Sequence, residues 1–216
     1  MLARIAMAAM ASASMVTGAL SWDGSRAYHL RPEGSSDISL TMTLLHAQGT
    51  IDLGGPVEST DLDVSVLTPN YRHTFDVLGN VGAVLIGLPM GNVSFESSAG
   101  TIDVDTGVAH GDLVVGGALG LVGAPSLSLM EYVQHKPGFQ AMVAAKLFAP
   151  TGDYDPDRMV NLGQNRWTFE ASLPISYVLG DTMIDPELMT FEIRPVVQIF
   201  GDNDDPFSGL GADVTS

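Results

Sequence analysis

Apolar and polar residues alternate along two stretches near the C-terminal end of the sequence. The odd positions from Trp167 to Leu179 are apolar, and the even positions between them are mostly polar. The stretch from Thr190 to Phe200 repeats this alternation. Side chains of a β-strand point alternately to the two faces of a sheet, so both stretches predict half-apolar strands. We expect them to pair antiparallel, joined through residues 180–187.

Each of these two strands has one apolar and one polar face. The apolar face is predicted to carry Trp167, Phe169, Phe191 and Ile193. The opposite face carries polar residues that we expect to face the lumen of a barrel: Arg166, Glu170, Glu192 and Arg194. An ordinary solvated sheet face would show the same charges, so the pattern leaves both interpretations open.

Weaker alternation marks further strands upstream. The candidates are Ile38 to Gln48, Leu62 to Phe75, Val77 to Leu88, Leu113 to Val122, Leu127 to Gln134 and Phe139 to Phe148. Turn-forming clusters such as Leu78-Gly79-Asn80 separate them. Their lengths suit tilted membrane strands of about 9 to 11 residues. Because no run has the spacing of a long amphipathic helix, the sequence predicts an all-β, antiparallel, up-and-down meander.

Composition narrows the environment of this meander. Charged residues make up only 16% of the 216 residues, and 24 glycines and 12 prolines provide many turns. The formal net charge of −16 repels phosphate backbones, so nucleic acid is not an expected partner. With no cysteine, the chain has neither disulfides nor Cys-ligated metals.

The N-terminal 27 residues have the composition of a secretory signal peptide. One charge, Arg4, precedes a run of small and apolar residues that ends near Leu20, and small residues follow. An N-terminal helix packed on a core is the alternative. We therefore expect residues 1–27 to be a signal peptide and residues 28–216 to form a single β domain. Downstream, no stretch reaches the ~18 apolar residues of a membrane helix, so only a barrel could span a bilayer.

One block of the sequence is distinctive. Residues 146–155 read Lys-Leu-Phe-Ala-Pro-Thr-Gly-Asp-Tyr-Asp, and residues 161–167 read Asn-Leu-Gly-Gln-Asn-Arg-Trp. This block resembles the outer-membrane transporter family associated with the meta-pathway of phenol degradation. In that family a Pro-Thr-Gly-Asp-Tyr-like loop ends one strand and an Arg-Trp-like pair opens another. The resemblance spans residues 26–200; Leu113 departs from the usual Gly-Asp-Pro-like turn.

The resemblance implies an outer-membrane β-barrel of a Gram-negative bacterium that takes up hydrophobic or aromatic small molecules passively. Its partners would be the lipid bilayer and these solutes, and it implies neither a cofactor nor catalytic residues. The family's label does not fix the solute. The open alternatives are a soluble or surface-exposed β-sandwich that binds a partner, and a lipid-modifying barrel enzyme in which His135 acts with Ser126 or Ser128.

The distinctive block also contains alternating carboxylates. Asp153, Asp155 and Asp157 are spaced so that they could hold Ca²⁺, but the block lacks the Gly and distal Glu of an EF-hand. Solvated acidic loop residues have the same pattern. We therefore expect no metal site, with these three residues as the only weak Ca²⁺ candidates.

The end of the sequence bears on whether the barrel closes. Residues 207–216 form a Gly-rich tail without a terminal aromatic residue, whereas barrels usually end in a strand with one. About eight or nine candidate strands could close a small barrel, because bacterial barrels begin at about 8. We expect an incomplete barrel with two open edges.

Overall fold

The computed structural model describes residues 27–51, 58–98, 103–158 and 160–207. The elements are β1 Ser36–Ile51, β2 Glu58–Val77, β3 Asn80–Gly87, β4 Met90–Ser97, β5 Asp103–Asp105, β6 Ala109–His110, β7 Leu113–Val122, α1 Leu129–Gln134, β8 Phe139–Ala149, β9 Thr168–Ser172, β10 Ile175–Leu179, β11 Met189–Ile193 and β12 Val196–Phe200. The predicted signal peptide lies, apart from Ala27, outside the described residues, as does most of the Gly-rich tail.

All strands belong to one sheet, and every pair is antiparallel. Several strands are pieces of one longer strand: β3 and β4 both pair with β2, and β9 and β10 both pair with β8. The spatial order is therefore β1, β2, β3/β4, β5–β7, β8, β9/β10, β11/β12. This is the predicted meander, and it confirms the antiparallel pairing of the two C-terminal stretches.

Prolines divide the long strands. Pro89 separates β3 from β4, Pro174 separates β9 from β10, and Pro195 separates β11 from β12. Proline has no N–H to give to the ladder, but its carbonyl can still accept. The ladder therefore continues: Leu173 donates to the Pro195 carbonyl at 3.0 Å, and Met142 donates to the Pro174 carbonyl at 2.9 Å.

One predicted strand is wrong. Residues 127–134 contain the helix α1, not a strand. Ser128 and Glu131 form a capping box, in which the Ser128 N–H donates to the Glu131 carboxylate at 2.9 Å. This local pairing satisfies the free N–H groups of a first helical turn, so it favours a helix over an extended strand. The strand β4 was not among the candidates, because Gly91 and Asn92 near its beginning interrupt the apolar pattern.

The outer face of the sheet is apolar and uncovered in the described residues. Its exposed side chains include Ile38, Leu40, Met42, Tyr71, Val84, Ile86, Val115, Val143, Leu147, Tyr177, Val197 and Ile199. Trp167, Phe169, Phe191 and Ile193 are also exposed, whereas Glu170 is buried on the other face. A water-facing sheet would expose polar residues here, so this face is suited to lipid.

Toward one end of the sheet, the outer face becomes polar and the inner face becomes apolar. In the cross-strand row of Met42, Leu67 and Met90, apolar side chains point outward. Further along β2, Asp63 points outward and Val64 is buried on the inner face. The inversion lies at matching positions on β1 and β4, which indicates where the apolar band ends.

The sheet is curled and open. Among the described residues, β1 pairs only with β2, and β11 and β12 pair only with β10 and β9. The outermost strands do not hydrogen-bond to each other, so the described part of the chain is an incomplete barrel, as expected from the sequence. None of the described helices has the length and apolar character to cross a membrane.

The two faces of β12 allow a test at neighbouring positions. Val197 is 65% exposed on the outer face, and Gln198 points inward to Glu170. We expect Val197→Lys to reduce membrane assembly strongly, because a lipid-facing Lys costs about 2 to 4 kcal/mol near the bilayer centre. Gln198→Lys keeps a donor for Glu170 and should assemble normally. The amount of heat-modifiable protein in outer-membrane fractions measures both. Equal assembly of the two variants would contradict the lipid-facing assignment.

Candidate functional site

A single cross-strand row carries most of the charges on the inner face. The paired residues, strand by strand, are Asp37, Arg72, Leu85, Gly116, Lys146, Glu170 and Gln198. We call it the charged row. Opposite charges that stand directly across neighbouring strands stabilise a sheet. The register therefore gathers residues that are far apart in sequence into two groups.

The first group is the Glu170 cluster, formed by Lys146, Glu170, Arg194 and Gln198. Lys146 Nζ lies 3.3 Å and Arg194 Nη1 3.1 Å from Glu170 Oε1. Gln198 Nε2 donates to Glu170 Oε2 at 2.8 Å. The Lys146 and Glu170 side chains are only 1% and 2% exposed, so a buried carboxylate is surrounded by donors. Buried charges require such complete pairing, because an isolated one costs several kcal/mol.

Gly116 makes room for Lys146. A Cβ at Gly116 would lie 2.6 Å from Leu85 Cδ1, 2.9 Å from the backbone oxygen of Ala145 and 3.0 Å from Lys146 Cγ. The lysine stem therefore lies across the glycine on the neighbouring strand. A larger residue at this position would displace the lysine from Glu170.

The second group is the Asp37 cluster. Arg72 binds the Asp37 carboxylate through two atoms, with Nε at 3.0 Å and Nη2 at 3.1 Å, and Arg31 Nη1 lies 3.1 Å away. Arg72 Nη1 also donates to the Ala27 carbonyl at 2.6 Å. The bidentate geometry fixes the guanidinium plane. The cluster thus fastens the residues that precede β1 to the inside of the sheet.

These residues, 27–35, form an inner segment that covers part of the inner face. Tyr28 and Leu30 are buried and pack in one cluster with Met142, Ala144 and Met183. The Gly34 N–H donates to the Thr74 carbonyl at 2.9 Å. The small cavity beside the segment, about 20 Å³, has room for about one water molecule. The segment therefore narrows the space inside the sheet.

At the end where the faces invert, residues 150–158 and 160–167 form a capping loop. Asp112 accepts hydrogen bonds from the N–H groups of Gly152 and Gln164, both at 3.0 Å. Burial raises the pKa of Asp112, and these N–H donors oppose that rise. From this loop, Val160 and Leu162 are buried in one apolar cluster with Leu62, Val64, Val66, Val93 and Ala109 of the sheet. The distinctive block of the sequence thus encodes an inward-folded loop.

The carboxylates of the capping loop form hydrogen bonds and an ion pair with nearby residues. Asp153 Oδ2 accepts from the His110 N–H at 2.8 Å. Asp155 Oδ1 accepts from the Asp157 N–H at 3.0 Å, and Asp155 Oδ2 lies 3.1 Å from Arg158 Nε. The described part of the chain contains no group of three or more metal-ligating residues. The structure does not bring the three candidate Ca²⁺ ligands together.

The predicted inner-face residues are divided between several positions. Glu170 and Arg194 meet in the Glu170 cluster. Arg166 instead lies over the Phe200 ring, with its guanidinium carbon 4.4 Å from the centroid. Glu192 pairs across the sheet with Ser176 and is exposed.

Sequence reasoning missed several residues of the charged row: Asp37, Arg72, Lys146 and Gln198. A signal for Lys146 was present, because it is the only charge in the alternating stretch from Phe139 to Phe148. Its partner could not be read from that stretch.

The two serines proposed for catalysis have other partners. Ser126 Oγ donates to Glu33 at 2.6 Å, and Ser128 Oγ donates to Glu131 at 2.6 Å. Ser128 is the N-cap of α1, so residues 127–134 do not form the predicted strand next to His135. The geometry brings neither serine into a nucleophile and base pair with His135.

A curled antiparallel sheet with an apolar outer face and a charged inner face has the architecture of outer-membrane β-barrels. A family model described as "Putative MetA-pathway of phenol degradation" matches residues 47–216, and the chain belongs to this family. The resemblance noted from the sequence is thereby confirmed.

The fold is similar to the crystal structure of an outer membrane channel from Pseudomonas putida, with a TM-score of 0.61 and 24% identity. The match covers 87% of this chain and 63% of the channel's chain, so this chain spans less than two thirds of that channel. A comparison with curated proteins found no match.

The position of Lys146 generates a prediction about its neighbouring strand. We expect Gly116→Ala to lower the free energy of unfolding by about 1 to 3 kcal/mol, because the new methyl group overlaps with Leu85, Ala145 and Lys146. Gly117→Ala is the control: its Cβ lies no closer than 3.3 Å to its neighbours. Urea unfolding in detergent micelles measures both variants. A control that loses as much stability as Gly116→Ala would refute the role of Gly116.

The docking of the capping loop can be tested by proteolysis. Both side-chain oxygens of Asp112 accept hydrogen bonds from the loop, whereas Asp112→Asn leaves only one oxygen that can accept. The loop should therefore open more often. We expect trypsin to cut after Arg158 about tenfold faster, the factor that corresponds to a loss of roughly 1.5 kcal/mol. Asp204→Asn, in another exposed loop, is the matched control. Unchanged cleavage in Asp112→Asn would mean that the loop is held by its apolar contacts alone.

Proposed function

We propose that this protein forms the wall of an outer-membrane channel through which small hydrophobic or aromatic molecules pass passively. The observation that carries the proposal is the division of one sheet into an apolar outer face and a charged inner face. A lipid-facing strand must alternate in this way if its other face lines a polar lumen. The similarity in fold to a solved outer membrane channel supports the same function.

The outer face supports the lipid bilayer as a partner. Ile38 is 78% exposed and Leu40 is 67% exposed, with further apolar side chains on each neighbouring strand. Each square ångström of such surface removed from water gains about 25 cal/mol. The proposed location is the outer membrane of a Gram-negative bacterium, reached by export through the N-terminal signal peptide.

The inner face supports small solutes with apolar parts. The inner segment and the capping loop occupy both ends of the described lumen, so a large solute would not fit beside them. Between the charged groups the inner face carries apolar side chains, including Val81, Leu85 and Met142. The family description names phenol degradation, and aromatic solutes agree with that description.

The two alternatives receive less support. A soluble β-sandwich buries one face of its sheet against a second sheet. Here the apolar face is uncovered among the described residues, and the buried face carries a charged row. A lipid-modifying enzyme needs a nucleophile that is activated by its base, and Ser126 and Ser128 donate to Glu33 and Glu131 instead of to His135.

Fractionation and uptake together test the proposal. We expect the protein in outer-membrane fractions, with heat-modifiable gel migration, because barrels keep their folded mobility until they are boiled. Proteoliposomes should take up a small aromatic solute such as benzyl alcohol faster than protein-free liposomes. Monodisperse protein without detergent would support the soluble alternative. A membrane-inserted protein that does not accelerate uptake would refute the channel function.

A further inference from the structure

The inner face carries a second cross-strand row, next to the charged row on the side of the capping loop. Four of its members are Val114, Phe148, Thr168 and Phe200, paired in register on β7, β8, β9 and β12. Val114 and Phe148 are 1% and 8% exposed, whereas Phe200 is 46% exposed. This part of the inner face is therefore mainly apolar, with the Thr168 hydroxyl between two phenylalanines.

Three polar side chains at this row each have a buried atom without a hydrogen-bond partner among the described residues. The unpaired atoms are Gln164 Oε1, Arg166 Nε and Thr168 Oγ1. Thr168 is only 1% exposed, and the Phe200 ring beside it lies under the Arg166 guanidinium. Buried polar atoms are nearly always paired in folded proteins. Three unpaired atoms so close in the chain indicate a place that another molecule completes.

The capping loop holds these side chains without using their unpaired atoms. The Gln164 N–H donates to Asp112 Oδ2 at 3.0 Å, and the Gln164 carbonyl accepts from Asn203 Nδ2 at 3.4 Å. Asn165 has a φ of +51°, a left-handed conformation that asparagine tolerates, and its Nδ2 donates to Asn203 Oδ1 at 2.9 Å. The backbone is thus fixed on both sides of Asn165, and the unpaired atoms of Gln164 and Arg166 stay available to a ligand.

The three unpaired atoms differ in the hydrogen bonds that they can form. The Arg166 Nε–H can only donate, Gln164 Oε1 can only accept, and the Thr168 hydroxyl can do both. A hydroxyl group of a solute donates and accepts at once, so it can pair with both Gln164 and Arg166. A carboxylate only accepts and an ammonium group only donates, so each would leave one of these two atoms unpaired.

The charges near this row also favour a neutral solute. Arg166 interacts electrostatically with the Asp112 carboxylate, so its positive charge has a counter-charge. An anionic solute that reached Arg166 would also meet Asp112, and a cationic solute would be repelled by Arg166. Neither sign of charge is matched by the residues present.

We propose that Gln164, Arg166 and Thr168 bind the hydroxyl group of a neutral aromatic solute, such as a phenol or a benzyl alcohol, whose ring lies against Phe200. We call this the hydroxyl subsite. The inference rests on the proposed channel function and specifies its substrate class. A mostly apolar surface with a few placed polar groups is typical of small-molecule sites. A hydrocarbon of the same size would leave all three polar atoms unpaired, so it binds more weakly.

Hydration of the three atoms, without a ligand role, predicts a different result. Water pairs with buried polar atoms whatever solute is present. The affinity of a solute would then follow its apolar area alone. An aromatic ether would bind at least as tightly as the corresponding alcohol, because its extra methyl group is apolar.

The experiment compares the binding of 4-fluorobenzyl alcohol and 4-fluorobenzyl methyl ether to the folded protein in detergent micelles. Both probes carry the same ring and an oxygen that accepts, but only the alcohol donates. Fluorine NMR titrations give the two dissociation constants, with partition into protein-free micelles subtracted. We expect the unmodified protein to bind the alcohol about fivefold more tightly, the factor for roughly one net hydrogen bond between neutral groups.

Two glutamine variants locate the effect. Gln164→Met removes the acceptor and keeps the length of the side chain, and its backbone hydrogen bonds remain. The preference for the alcohol should then fall about fivefold, so that both probes bind equally. Gln134→Met makes the same change at an exposed position of α1 and should keep the preference. Heat-modifiable migration of both variants confirms that they are folded.

Each outcome has a separate meaning. Equal binding of the two probes by the unmodified protein, or tighter binding of the ether, would overturn the hydroxyl subsite, as would a preference that survives in Gln164→Met. A preference lost equally in Gln134→Met would assign it to the general surface, against the inference. Uptake of benzyl alcohol by proteoliposomes of the same protein tests the channel function separately. Uptake without the binding preference overturns the subsite alone, and a lack of uptake refutes the channel function itself.

Discussion

The backbone hydrogen-bond ladder is the constraint on which the other features of this structure depend. Hydrocarbon offers no partner to a free N–H or C=O, so each strand in a membrane must pair with a neighbour on both sides. The long β2 meets this requirement by pairing with β1 along one edge and with β3 and β4 along the other. Proline would break the ladder, yet the carbonyls of Pro174 and Pro195 continue it. Once the ladder is fixed, the two faces of the sheet are fixed with it.

The charged row makes the register of that ladder specific. A slip of one residue would turn every side chain of a strand to the other face. Such a slip of β8 would move Lys146 from Glu170 to the lipid-facing side, at a cost of several kcal/mol. The apolar outer residues tolerate exchanges among themselves, so they specify register less strictly. Lys146 and Glu170 thus discriminate between registers through their buried ion pair on the inner face.

Small residues allow the inner groups to approach one another. Gly116 leaves space for the Lys146 stem, and Gly152 and Gly163 lie in backbone contact within the capping loop. The Asp112 carboxylate then reaches the N–H groups of the loop, which draws Val160 and Leu162 toward the sheet. The inner segment at the other end depends on Arg72 in a similar way. Both ends of the lumen are therefore shaped by a charged residue that binds backbone groups.

The sequence by itself determined the strand class, the meander and the orientation of the last two strands. Alternation with period two is a local property, so Phe169 and Phe191 could be assigned to one face and Glu170 and Arg194 to the other. The helix at Leu129–Gln134 was missed although the Ser128 and Glu131 capping box is also local. Only the tertiary structure decided which charges meet. Lys146 and Asp37 find their partners through register, which depends on pairing across many strands and cannot be read from one stretch.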